Sequence, residues 1–238
     1  MPTPSYIVTI GNRRTIAPDV VEFTCTKPEG FTYKPGQFIL FDVPHPDNPA
    51  DIQTRAYSMA STADENELLF VVKLVPNGRF SRYYLEQLKD GSTLRIQGPF
   101  GFFVPDPLPD ARIVLVATGT GMAPFRAHVR AEIASGNPRP IDLIFGVRGK
   151  ADLFWIEELE NITRMHPNFH LHPTLSAPDA DWKGLTGRVQ THIPSCISDP
   201  EKTLLYACGN PLMTKEVKTL ALEQWKIPKK NLHVEGYI

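Results

Sequence analysis

Short runs of apolar and β-branched residues recur through the first hundred positions, each bounded by turn residues: SYIVTI (5–10), VVEFTCT (20–26), QFILFDV (37–43), ELLFVVKLV (67–75) and TLRIQGPF (93–100). A strand places successive side chains on opposite faces, so this patterning marks half-buried strands. Several such strands with Pro and Gly between them predict an antiparallel barrel or sandwich. TRAYSMAS (54–61) fits the same grammar, with Arg55, Tyr57 and Met59 on one face and Ala56, Ser58 and Ala60 on the other. One helix interrupts the strands in GRFSRYYLEQLKDG (78–91). Ser81 is expected as its N-cap, Phe80 and Leu85 as a hydrophobic staple, and Gly91 as the stop.

The pattern changes at PDPLPD (105–110), where three prolines in six positions can continue neither strand nor helix. This divides the chain into a β-rich domain at 1–104, a linker at 105–110 and a second domain at 111–238. In the second, strands and helices alternate. RIVLVAT, IDLIFGV, FHLHPTLS, TLLYACG and LHVEGY read as strands. APFRAHVRAEIASG, ADLFWIEELENITRMH and a segment capped by Asn210 with Pro211 at its first position read as helices. Such alternation implies parallel pairing in a doubly wound α/β sheet.

Composition narrows the function. Net charge is −1, with 10 Lys/Arg against 11 Asp/Glu up to residue 104 and 15 against 15 beyond it, which excludes the basic footprint of a nucleic-acid binder. No apolar run has the roughly 20 residues of a membrane helix, and the N-terminus lacks a secretion signal, so a cytoplasmic protein is expected. Three scattered cysteines (25, 196, 208) fit neither a disulfide framework nor an all-cysteine iron–sulfur centre. His166, His170 and His172 lie close in sequence, but no matching cysteine or carboxylate pattern accompanies them, and no metal site is expected.

In an open parallel sheet, ligands bind beyond the carboxyl ends of the strands, near a reversal of strand order. Here those ends are followed by GTGMAP, GVR, LSAP, CGNP and EGYI. GTGMAP (119–124) allows close backbone approach and opens a helix N-terminus, which suits a diphosphate. It departs from the dinucleotide fingerprint of glycines, and no acidic ribose ligand follows the next strand. Cys208 is placed beside this turn, with Glu235 and Tyr237 on one side of the last strand. Gly78, Arg79, Phe80 and Ser81 form a second phosphate-type helix start in the first domain. Arg55 and Tyr57 taken alone suit either a bridge between strands or a wall for a phosphate and a flat ring. Together, these features suit two phosphate-bearing cofactors.

The ordered set KPGQF (34–38), RAYS (55–58), GRFS (78–81), GPFG (98–101), GTGMAP, GVR (146–148), TGRV (186–189), CGNP (208–211) and EGYI (235–238) resembles the ferredoxin–NADP+ reductase family of flavoproteins over nearly the whole chain. The resemblance implies an antiparallel β-barrel flavin domain followed by a doubly wound NAD(P)-binding domain. It implies FAD rather than FMN, with Arg55 on the flavin diphosphate, Tyr57 on the ribityl–isoalloxazine region and Ser58 near N5. The backbone of Val72, Lys73 and Leu74 would line the pyrimidine side of the ring, and Gly78, Arg79, Phe80 and Ser81 would complete the diphosphate site. Thr118, Gly119, Thr120, Gly121 and Met122 would hold the diphosphate of NADPH or NADH. Cys208, with Gly209, would approach the nicotinamide, and Glu235 would join the same polar cluster. Tyr237 would stack on the isoalloxazine.

The chain departs from the family pattern in two places. Plant-type members end in the stacking tyrosine, whereas Ile238 follows Tyr237 here; and LSAP carries Ala177 where NADPH-specific members carry arginine. Arg148 and Arg188 are the remaining candidates for a 2′-phosphate. The implied function is hydride transfer from NAD(P)H to FAD, then one-electron transfer to a separate ferredoxin, flavodoxin or oxygenase component. The alternative is a flavin-binding subunit of a larger oxygenase-type complex with little turnover alone.

Overall fold

The computed structural model describes residues 3–237, so Ile238 lies outside the described residues. The chain divides into two compact units, residues 1–104 with 126–128, and residues 105–125 with 129–238.

The first unit is built from β1 (Ser5–Ala17), β2 (Val20–Thr26), β3 (Phe38–His45), β4 (Asn48–Ser58), β5 (Glu67–Lys73) and β6 (Thr93–Phe100), in the order β4-β3-β6-β1-β2-β5. Every pairing is antiparallel. Beyond β4 the chain closes the barrel. Met59 N–H donates to the Gln37 carbonyl at 3.0 Å, and Ala60 N–H donates to the Leu69 carbonyl of β5 at 2.8 Å. Inside, Phe23 packs on Phe70, Phe80 and Phe41 with ring centroids 5.5, 5.7 and 5.9 Å away. The face assignment for 54–61 is only partly correct. Tyr57 and Met59 do turn inward, but closure buries Ser58 and Ala60 as well.

The helix of this unit, α1, spans Arg79–Glu86 with Gly78 as its N-cap, so the expected cap at Ser81 is wrong. The Ser81 hydroxyl has another use. It accepts the Val75 N–H at 2.8 Å and closes the 75–81 loop. No staple forms, because Phe80 is buried in the barrel while Leu85 is 69% exposed. The helix stops at Gln87, and Gly91, at φ +85°, serves the turn before β6 by donating its N–H to Ile10.

The second unit contains β7 (Arg112–Thr118), α2 (Met122–Ser135), β8 (Ile141–Val147), α3 (Ile156–Met165), β9 (Phe169–Leu175), β10 (Leu185–Thr186), β11 (Thr203–Gly209), α4 (Pro211–Glu223) and β12 (Leu232–Gly236). All pairs are parallel in the order β10-β9-β8-β7-β11-β12, so the winding reverses between β7 and β11. Val114, Val116, Ile144, Leu205 and Ala207 form a core with α4 and the 189–196 segment. Their neighbours Leu115, Phe145 and Tyr206 are buried on the other face, as a sheet covered on both sides requires. Asn210 caps α4 by accepting from Leu212 and Met213 N–H, with Pro211 next. By contrast, α3 begins five residues later than its apolar pattern predicts. Lys150–Asp152 forms a 3-10 turn, and Trp155 sits at φ +56° before the helix starts. Residues 105–110 are fastened within this unit: Asp106 N–H donates to Tyr206, and the Asp106 and Leu108 carbonyls accept from Arg139.

Candidate functional site

The first unit separates its two candidate arginines by their partners. Arg79 is consumed locally, its guanidinium donating to the Asp51 carboxylate at 2.6 Å and the Asp51 carbonyl at 2.8 Å. That ion pair ties the start of α1 to β4. Arg55 bonds only neutral acceptors, the Gln53 amide oxygen at 2.9 Å and the Thr54 carbonyl at 2.8 Å. Its half-exposed charge has no carboxylate partner among the described residues.

Two residues further along β4, Tyr57 packs its ring 4.9 Å from Phe80 and 6.0 Å from Phe41. Burial pushes its phenol pKa far up, so the ring is a neutral apolar wall. Phe80 belongs to the first turn of α1, whose leading N–H groups have no carbonyl partner within the helix. Tyr57 therefore meets this helix start, with Arg55 two residues before it on β4. Gly78 packs closely there, since a Cβ would come 2.6 Å from Val75 Cγ2 and displace that side chain. Ser58 is buried opposite Phe38 at the end of β4. Val72 and Lys73 pair with β2, the Lys73 ammonium donates to the Pro18 carbonyl, and Leu74 N–H is already given to Asp19. Of that trio, the Leu74 N–H is thus committed.

In the second unit, the predicted residues converge at the reversal of strand order. Gly119–Gly121 forms a 3-10 turn leading into α2. At Gly121 a Cβ would fall 2.3 Å from the Cys208 carbonyl oxygen, so this glycine lets α2 pack on the end of β11. Gly209, at φ +127°, meets the Thr118 backbone from the other side, where a Cβ would come 2.4 Å from the Thr118 oxygen. Gly119 has φ +52° and open space where its Cβ would be. The result is a helix N-terminus approached through a turn left uncovered at Gly119. Thr118 and Met122 shape it indirectly: the Thr118 hydroxyl accepts Asn210 N–H at 2.9 Å, and Met122 is fully buried. Thr120 is half-buried beside them.

Cys208 pairs in register with Glu235, and Tyr237 N–H donates to the Gly209 carbonyl at 2.8 Å. The fold thereby assembles Cys208, Glu235 and Tyr237 at one edge. Burial pushes the Cys208 thiol well above its ordinary range against an opposing hydrogen bond from Tyr237, and the Glu235 carboxylate adds to the rise. Cys208 is a neutral thiol at neutral pH, suited to contact and unsuited to nucleophilic attack. Arg148 and Arg188 are exposed and follow the carboxyl ends of β8 and β10, with β9 between those strands.

A cluster that sequence spacing did not reveal lies elsewhere on the sheet. His172 Nε2 is 2.9 Å from Asp142 Oδ1, and both groups stand with Cys196. The histidine spacing was visible, but its cysteine and carboxylate partners come from positions 24 residues later and 30 residues earlier, joined only by sheet register and the 3-10 turn Ile193–Cys196. The expectation that these histidines lack such partners is corrected by the fold. Hydrogen bonds to Asp142 and then Cys196 raise the His172 pKa to about 9.

Comparison with known proteins settles the family. Residues 8–104 match the Oxidoreductase FAD-binding domain and residues 115–219 the Oxidoreductase NAD-binding domain. Ferredoxin--NADP reductase B of Sorangium cellulosum is 32% identical over 233 residues, covering 94% of each chain. The chain belongs to the ferredoxin–NADP+ reductase family. Another member, the ferredoxin--NAD(P)(+) reductase component of the Pseudomonas putida naphthalene 1,2-dioxygenase system, is 30% identical over 80% of this chain, which spans only 56% of that relative. Among solved structures, an Amycolatopsis cytochrome P450 reductase superposes with TM-score 0.86 at 27% identity, covering 99% of this chain and 71% of that one. A Neisseria gonorrhoeae ferredoxin NADP+ reductase with bound FAD and NADP shares the fold at TM-score 0.83 and 23% identity, over 98% of both chains. This family member is accordingly an NAD(P)H- and FAD-dependent oxidoreductase.

Proposed function

We propose that the protein takes electrons from NAD(P)H and delivers them singly to a separate redox protein, a ferredoxin, a flavodoxin or an oxygenase component, in the cytoplasm. The observation that carries this reading is the Gly121–Cys208 crossing, which joins a diphosphate-type helix start to a neutral thiol flanked by Glu235 and Tyr237.

The residues present fit the two cofactors. In the first unit, Arg55 keeps a charge that no carboxylate neutralises among the described residues, two residues before Tyr57, whose ring packs on Phe80 of α1. That donor set suits a diphosphate joined to a flat ring. Ser58 and the Val72–Lys73 backbone are assigned to the ring, and Gly78, Phe80 and Ser81 to the turn that presents the helix start. FAD, when bound, accepts a hydride from the nicotinamide and releases its electrons one at a time. The chain's own task is placement. A hydride donor and acceptor must approach to about 3–3.5 Å in alignment.

In the second unit, the Gly119–Gly121 turn is assigned to the NAD(P)H diphosphate, with Thr120 at its rim and Thr118 and Met122 fixing its backbone. Cys208 and Gly209 limit how deeply the nicotinamide enters, Glu235 supplies a polar neighbour, and Tyr237 offers an aromatic face at the same edge. Arg148 and Arg188 are assigned to the 2′-phosphate, which favours NADPH over NADH.

The test is twofold. Flavin released from the purified protein by denaturation is identified by mass, with FAD expected. The holoprotein is then assayed for NADPH-dependent reduction of ferredoxin and flavodoxin. Reduction of neither acceptor, nor of ferricyanide, would refute the assignment and leave a flavin-binding subunit with little turnover alone.

A further inference from the structure

Three groups from different parts of the second unit meet on one face of its sheet, on the β8–β9–β10 side away from the Gly121–Cys208 crossing. Asp142 lies near the start of β8, His172 in the middle of β9, and Cys196 at the end of the 3-10 turn Ile193–Cys196. One donor atom from each, a carboxylate oxygen, an imidazole nitrogen and a sulfur, lies within 4.8 Å of the other two. Asp142 and Cys196 are buried, while His172 retains 31% of its side-chain exposure, so a small solute has an approach.

The surroundings orient these donors. Arg112 occupies Asp142 Oδ2, which leaves Oδ1 directed at His172, 2.9 Å from Nε2. The Cys196 thiol is hydrogen-bonded with His172 and makes longer contacts to the His192 carbonyl at 3.9 Å and the Ser195 hydroxyl at 4.0 Å. A fourth donor stands nearby. His170 pairs with Asp142 in strand register, and its Nδ1 is 3.7 Å from Oδ1. His170 is half-exposed, and its position two residues before His172 puts both rings on one face.

We propose that Asp142, His172 and Cys196 form a binding site for a divalent zinc ion, with the fourth position open to water or to His170. One thiolate, one imidazole and one carboxylate make a borderline-soft donor set of the kind zinc takes in tetrahedral sites. Ligand atoms about 2.0–2.3 Å from the metal stand roughly 3.3–3.8 Å apart in a tetrahedron, so the Asp142–His172 contact needs to open by only a few tenths of an ångström. Binding replaces protons: the thiol of Cys196 and the bridging N–H of His172 are lost to solvent as two metal–ligand bonds form. Zinc bound there pins the Ile193–Cys196 turn to β8 and β9. Its role is regulatory or stabilising, because none of its ligands belongs to the cofactor sites assigned above.

Cobalt(II) serves as the probe. The flavin-loaded protein is stripped with a chelator, titrated with cobalt(II) and read as difference spectra against the same protein without metal. One equivalent should produce a sulfur-to-cobalt charge-transfer band that zinc(II) abolishes. Zinc(II) affinity, measured by competition with a chromophoric chelator, should fall at least about tenfold in His172→Ala, and the band should vanish in Cys196→Ser. Absence of the sulfur band in the unaltered protein overturns the proposal without any variant. Zinc affinity unchanged in folded, flavin-retaining His172→Ala also overturns it, by showing surface binding elsewhere.

Discussion

Replacing Gly121 with alanine tests how closely the cofactor turn depends on backbone packing. The new Cβ would lie 2.3 Å from the Cys208 oxygen, 2.5 Å from its carbonyl carbon and 2.6 Å from Gly209 Cα. These are backbone atoms, so no side-chain rotation relieves the clash. Ordinary contact requires the turn and the end of β11 to separate by about 1 Å. Overpacking of this kind costs about 1–3 kcal/mol of stability, and a misplacement of about 1 Å at a hydride-transfer site lowers the rate about 100-fold. The assay is anaerobic stopped-flow reduction of the bound flavin by NADPH, with flavin content measured in parallel. The variant should keep its flavin, because the first unit's site is untouched, while its reduction slows by about two orders of magnitude. Gly119→Ala is the control. It meets no atom within 4 Å but carries φ +52°, so it should strain the turn without driving it from β11. A reduction rate for Gly121→Ala within about threefold of the unaltered protein would refute the reasoning.

Further outcomes follow from individual partners. Arg55→Ala should weaken FAD binding by roughly 10–100-fold, the loss of about 1.5–3 kcal/mol from a charged hydrogen bond, as read by release of fluorescent FAD on dilution. Arg79→Ala should lower the thermal midpoint by freeing Asp51 from α1, with a smaller loss of FAD affinity than Arg55→Ala, since its charge is already paired. The Cys208 thiol, pushed up by burial, should resist a disulfide-exchange reagent in the folded protein and react on unfolding; Cys208→Ala should retain flavin yet reduce it more slowly. Arg188→Ala combined with Arg148→Ala should raise the KM for NADPH about tenfold or more while leaving that for NADH nearly unchanged, measured by steady-state reduction of ferricyanide.

Much of the fold was legible because burial writes its period into the chain. RIVLVAT, IDLIFGV and TLLYACG are covered on both faces and read as mainly apolar runs, and each is a strand with the predicted bounds. Asn210-Pro211 likewise signals its helix through local capping chemistry. The errors came where a local rule met a tertiary demand. Ser81 has the chemistry of a cap, but its hydroxyl is used by Val75 N–H, and Gly78 takes the cap position. The apolar pattern of 151–166 promises a longer helix than forms, because Phe154 turns to pack 5.2 Å from Phe145 and Trp155 adopts a left-handed backbone.

The cofactor residues show the same division. Arg55 and Arg79 are equivalent in sequence, and only Asp51 distinguishes them, by pairing with one. The glycines at 121 and 209 were visible as a motif, whereas the reason for them, contact between the ends of β7 and β11, exists only in the folded sheet. Asp142, His172 and Cys196 were beyond any spacing rule, since three separate elements supply them.

The most direct test of the central claim is the visible spectrum of the purified protein under anaerobic conditions, before and after NADPH. The expected result is a yellow protein whose flavin absorbance bleaches on adding NADPH, and more slowly with NADH. A flavin-loaded protein that neither nucleotide bleaches would contradict it.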